Sequence, residues 1–106
     1  MSLKVGESNE LFQYAVGIDI SANTSLDLNF TDPDGVETTI SNPRVTVPAV
    51  VSGALLANEY MEFNVLVTDF TKAGKWRVCG IRTDTATTPD TITIGDETTF
   101  DIEDGC

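Results

Sequence analysis

Residues 26–40 read Leu-Asp-Leu-Asn-Phe-Thr-Asp-Pro-Asp-Gly-Val-Glu-Thr-Thr-Ile, and this stretch decides the fold. Leu26, Leu28 and Phe30 alternate with Asp27, Asn29 and Thr31, the period of a strand with one buried face. Asp32-Pro33-Asp34-Gly35 then turns the chain: Pro33 presets φ and Gly35 accepts a positive φ. Val36 to Ile40 follows as the returning strand of a hairpin.

The same reading extends outward. Phe12, Tyr14, Val16, Ile18 and Ile20 share one parity, so Leu11 to Ile20 is expected as a strand. Met61, Phe63, Val65 and Val67 give another. Ala73-Gly74-Lys75-Trp76 launches a further one, with Trp76, Val78 and Gly80 on one face and Lys75, Arg77, Cys79 and Ile81 on the other. Residues 84–91 form a polar hairpin loop. Thr91 to Ile102 is the last strand region, interrupted at Gly95-Asp96. Arg44 to Val47 is a short alternating piece. Residues 1–10 read as an arm or a short edge strand. Residues 49–59 are small and apolar around Gly53 and read as a strand plus loop, or as a contact surface if exposed. Thr, Val and Ile supply 32 of the 106 residues, which suits pleated surfaces. The expected fold is all-β: one immunoglobulin-like antiparallel β-sandwich of about seven strands in Greek-key order, spanning residues 1–106. Its expected inward residues are Val16, Ile18, Leu26, Leu28, Phe30, Phe63, Val65, Val67, Trp76, Val78, Ile92 and Phe100.

Charge and composition exclude more than they name. Seventeen acids against six bases give a net charge of −11, which nucleic-acid phosphates and anionic lipid would repel. No nucleic-acid or membrane partner is expected, and no apolar stretch in the sequence approaches a membrane span. The absence of His removes the commonest general base and zinc ligand. The lysines Lys4, Lys72 and Lys75 fall in turns or near the start, and no nucleophile elbow is present, so an enzyme is not expected. No cofactor is expected. Asp32, Asp34 and Gly35 match part of a calcium loop, with Asp19 or Asp69 able to approach, but the turn alone accounts for them. Cys79 and Cys106 could pair if their strands lie side by side. As two free thiols they suit a cytosolic product.

Two features suggest contact surfaces. Lys72, Lys75, Arg77 and Arg82 fall within eleven residues, while Asp96, Glu97, Asp101, Glu103 and Asp104 crowd the far end. Either the two segments pair across neighbouring strands, or the basic residues dock on an acidic partner or another subunit. Val51, Leu55 and Leu56 are the apolar candidates for the same role.

The order of Val5-Gly6-Glu7, Ile18-Asp19-Ile20-Ser21, the alternating Leu26 to Thr31, Asp32-Pro33-Asp34-Gly35 and Ala73-Gly74-Lys75-Trp76 resembles the small immunoglobulin-like virion proteins of tailed bacteriophages. That resemblance implies a structural protein, made in the host cytoplasm and located in the virion. It would decorate the capsid or sit on the neck or tail, bound to other virion proteins and to copies of itself. A sugar-binding or adhesive module is the competing expectation, with Tyr14, Tyr60 or Phe70 stacking on glycans.

Overall fold

The computed structural model describes residues 3–104. Its strands are β1 (Leu3–Lys4), β2 (Leu11–Ala15), β3 (Ser25–Thr31), β4 (Glu37–Ser41), β5 (Tyr60–Asn64), β6 (Gly74–Asp84), β7 (Thr91–Ile94) and β8 (Thr98–Glu103). One sheet runs β1-β8-β6-β3-β4, with β7 continuing beside β6 beyond β8. The second sheet is β2-β5. The chain crosses between sheets after β1, β2, β4 and β5, so the topology is a Greek-key sandwich. All pairs are antiparallel except β1 with β8.

The 26–40 hairpin forms as its sequence reads, with Leu28 opposite Ile40 and Phe30 opposite Thr38. Gly35 takes φ +85° to close the turn, and its N–H donates to the Asp32 carbonyl at 3.0 Å. Leu26, Leu28 and Phe30 point inward and are buried. Trp76, Val78 and Gly80 line the inward face of β6.

The buried face is held by rings. Phe30 on one sheet meets Phe12 and Phe63 on the other at 5.3 and 5.9 Å between centroids. Phe70, from the loop after β5, stands edge-on to Phe30 at 5.4 Å and to Trp76 at 5.2 Å. Phe100 completes the cluster against Phe12 at 5.1 Å. Edge-to-face pairs of this kind add about 0.5–1.5 kcal/mol each beyond the area they bury.

The structure corrects several expectations. The strand expected over Leu11 to Ile20 stops at Ala15, because Gly17 takes φ +88° and the N–H groups of Val16 and Gly17 both turn onto the Glu59 carbonyl. Ile18 is left exposed, although Ile20 beyond it is fully buried. The strand expected to reach Val67 ends at Asn64, where the Asp69 carboxylate takes the Leu66 N–H at 2.7 Å and starts a turn, leaving Val67 exposed. Arg44 to Val47 contributes a single bridge, Thr46 to Glu62. Residues 49–59 form no strand, only a tight turn in which Ser52 and Leu55 exchange main-chain bonds at 2.9 Å. Ile92 faces outward on β7. Of the two readings of residues 1–10, the short edge strand forms at Leu3–Lys4, continued by the Val5 N–H donating to the Glu103 carbonyl.

Gly80 is demanded by packing. A Cβ there would stand 2.6 Å from Cε1 of the buried Tyr14 ring. Gly80→Ala should therefore destabilise the fold by about 1–3 kcal/mol through overpacking. Phe30→Ala should cost about 3–5 kcal/mol. Urea unfolding followed by the single Trp76 checks both, and a Gly80→Ala midpoint equal to the parent's would refute the packing argument.

Candidate interaction surfaces

The four clustered basic residues do not form one stripe. Lys72 is held by its own chain, its Nζ lying 3.1 Å from Asp32 Oδ2 and 2.9 Å from Asp34 Oδ2. Gly74, two residues on, packs against the Pro33 ring, so closely that a Cβ there would come within 2.8 Å of it. Trp76 Nε1 donates to the Lys72 carbonyl at 3.0 Å. The two turns that are most informative in the sequence thus build one corner of the sandwich. Lys75 and Arg77 lie on the outer face of β6, opposite Asp101 and Thr99 of β8. Arg77 Nη1 lies 3.9 Å from Glu97. The basic and acidic segments are neighbouring strands. Arg82 has the other parity and is 8% exposed. Its guanidinium donates to the Ala22 carbonyl and to Thr93 Oγ1, both at 2.8 Å, while its Nε lacks a partner among the described residues.

The acids singled out for calcium are each engaged locally. Asp32 Oδ1 accepts from the N–H groups of Asp34 and Val36, and the Lys72 ammonium sits against its other oxygen. Asp19 accepts from the hydroxyl and N–H of Ser21. Asp69 binds Arg44 at 2.6 Å, and Arg44 also lies over the Phe63 ring. No group of three or more potential metal-ligating side chains occurs among the described residues. Cys79 directs its thiol to the Gly95 carbonyl at 3.3 Å, and burial together with Glu97 and Asp96 pushes its pKa up. Cys106 lies outside the described residues, and with it the possible disulfide.

The loop of residues 49–59 divides its apolar side chains. Val51 and Leu56 are exposed, as is Val50, while Leu55 is half-buried at the rim of a cleft. Tyr60 fixes the loop by donating its hydroxyl to the Val50 carbonyl at 3.0 Å, and Gln13 Nε2 bonds Ser52 Oγ at 3.0 Å. Tyr14, Tyr60 and Phe70 are all buried, so none offers a ring to a glycan.

Sequence reasoning missed a surface on β7. Ile92 and Ile94 are 60% and 66% exposed. Ile94 lies opposite Ile81, and Ile92 opposite Thr83. Thr93, between them, turns inward to Arg82. The alternation Thr-Ile-Thr-Ile points to a strand but does not say which parity faces in. Register with the inward Arg82 settles it. Two exposed isoleucines on an edge strand form the kind of surface that partners cover.

A cleft of about 610 Å3 runs between β2 and β8. Leu3, Phe12, Tyr14, Val78 and Phe100 line it, with Asp101 and Glu103 at the β8 side. No protein-family model, curated protein or solved structure matches the chain.

Asp19 and Asp32 give a pH dependence. The Ser21 hydroxyl and N–H hold Asp19 below the usual carboxylate range. Desolvation alone would raise Asp32, but the Val36 N–H, the Lys72 ammonium and the Asp34 N–H outweigh it and lower its pKa. A carboxyl depressed in the folded state contributes stability above its unfolded pKa and loses it as pH falls through the folded one. The urea midpoint should therefore decline as pH drops below about 4. Asp32→Asn should flatten that decline while lowering the midpoint at pH 7. An unchanged acid limb in the variant would show that the turn contributes nothing to it.

Proposed function

We propose that this protein is a non-enzymatic structural component of a tailed-phage virion that binds capsid or tail proteins through protein–protein contacts. The observation that carries the reading is the exposed isoleucine pair on β7, set beside Ile81 on the outer face of the larger sheet. Covering each such side chain is worth up to about 1.5–3 kcal/mol. A patch of this size gives a modest interface. Repetition over a symmetric particle converts modest contacts into stable attachment.

Other features support the same reading. The order of turn and strand motifs resembles small immunoglobulin-like virion proteins, and the fold is a Greek-key β-sandwich. The exposed Val50, Val51 and Leu56 offer a second apolar contact. The net charge of −11 keeps free copies apart before assembly. The adhesive alternative loses support, because its candidate aromatics are in the core.

Mass spectrometry with copy-number estimation on purified particles tests the proposal. On the order of hundreds of copies would indicate capsid decoration, and about six to a dozen a neck or tail ring, since closed symmetry sets such numbers. Absence from the particles would end the virion reading. The double variant Ile92→Asp, Ile94→Asp should keep the parent's urea midpoint within about 0.5 kcal/mol, as surface changes do, yet fail to incorporate. Incorporation at the parent's level would remove β7 from the interface.

A further inference from the structure

The smaller sheet ends on an open edge. β5 takes one side of β2, and no other strand among the described residues pairs with the other. The Val65 N–H donates to Glu10 and the Val16 N–H to Glu59, which sets the alternation along the pair. Phe12 and Tyr14 therefore direct their main-chain groups to β5, and Leu11, Gln13 and Ala15 direct theirs outward. A second edge faces the same gap. Among the described residues, β1 pairs with β8 only at Ile102 and Glu103. Since the Glu103 carbonyl points to β1, Thr99, four residues before it, shares its direction and presents its main-chain groups beyond the end of that pairing.

The cleft lies between these edges. Its floor is the apolar set Leu3, Phe12, Tyr14, Val78 and Phe100. Its charged lining is wholly acidic, Asp101 and Glu103, with no Lys or Arg. On the outer face of the β2–β5 pair, Gln13 is bonded to another acid, Glu62. An open strand edge supplies main-chain hydrogen bonds to an extended segment, and alternate pockets select its side chains.

We propose that this cleft binds an extended segment of a different protein, added to β2 as a third strand, in which apolar residues alternate with Lys or Arg. The apolar side chains cover the floor. The basic ones meet Asp101 and Glu103 at the rim and Glu62 on the outer face. A second copy is disfavoured as occupant, because each copy carries a net charge of −11. The inference rests on two open edges and an acidic rim, not on the virion reading, so either can fail while the other stands.

The test titrates isotope-labelled protein with the capped peptide Lys-Val-Lys-Val-Lys-Val-Lys and follows amide shifts. The expected result is a saturable shift at Leu11, Gln13, Ala15 and Thr99, weakened by added salt. The Glu-Val counterpart should give none. Ala15→Pro removes one outward N–H and should weaken binding about tenfold, as a lost main-chain hydrogen bond does. Asp101→Lys should weaken it without touching β2, which covers the case in which the proline variant fails to fold. No shift at about 1 mM peptide, the weak limit of specific affinity, would overturn the proposal. So would shifts confined to Ile92 and Ile94. Sedimentation of the free protein as a dimer that Ala15→Pro dissociates would assign the edge to a second copy instead. Contacts from Met1 or Ser2 to Gln13 in the free protein would assign it to the chain's own start, and either result would equally overturn the proposal.

Discussion

The ring cluster that joins Phe12 and Phe63 to Phe30, Phe70, Trp76 and Phe100 is the contact on which the rest of this structure depends. β2 and β5 make a two-stranded sheet of five residues a side, which in water is marginal at best. It persists because its inward residues Phe12, Tyr14, Met61 and Phe63 are buried against the larger sheet. Gly80 belongs to the same constraint, since the Tyr14 ring lies where a side chain would be. The Tyr14 hydroxyl reaches the Asp96 carbonyl at 2.6 Å, so the ring that fills the gap also ties β2 to the bend between β7 and β8.

Much of this was legible in the residues. The hairpin of residues 26–40 forms because alternation and turn chemistry agree there, which leaves no competing local structure. The long β6 strand was legible for the same reason. The failures lie where period-2 patterns run past the point at which main-chain bonding changes. Ile18 and Val67 keep the right parity, yet Gly17 and the Asp69 carboxylate redirect the backbone before them. No pattern of apolar residues reports such a redirection, because it depends on a left-handed glycine or on a carboxylate two or three positions away. The loop of residues 49–59 fails differently. Its small apolar residues suit a strand, but its main-chain groups close on one another through Ser52 and Leu55.

The contact surfaces were less legible than the fold. Clustering in sequence placed Lys72, Lys75, Arg77 and Arg82 together, and the structure distributes them by parity. Lys72 belongs to a turn, Lys75 and Arg77 face outward opposite β8, and Arg82 enters the interior. Lys72 and Arg77 already have partners of opposite sign in Asp32, Asp34 and Glu97, so the proximity of the bases in sequence says little about docking. Ile92 and Ile94 carry the opposite lesson. Their parity is fixed only by pairing with a strand ten residues earlier, whose own inward face contains an arginine.

Open edges and exposed isoleucines would normally invite a chain to pair with itself. Charge provides the restraint here. Bringing two copies together edge to edge sets like charges side by side, and the rims of both β2 and β7 are acidic, through Glu62 and Asp101 at the first and Asp90, Asp96 and Glu97 at the second. Such repulsion is screened beyond about 8 Å at physiological salt, so it acts only where edges meet closely. A partner carrying Lys or Arg meets attraction at the same edges. The acidic surface and the unpaired strands therefore work together: one discourages self-pairing, and the other leaves main-chain groups free for a strand of opposite charge.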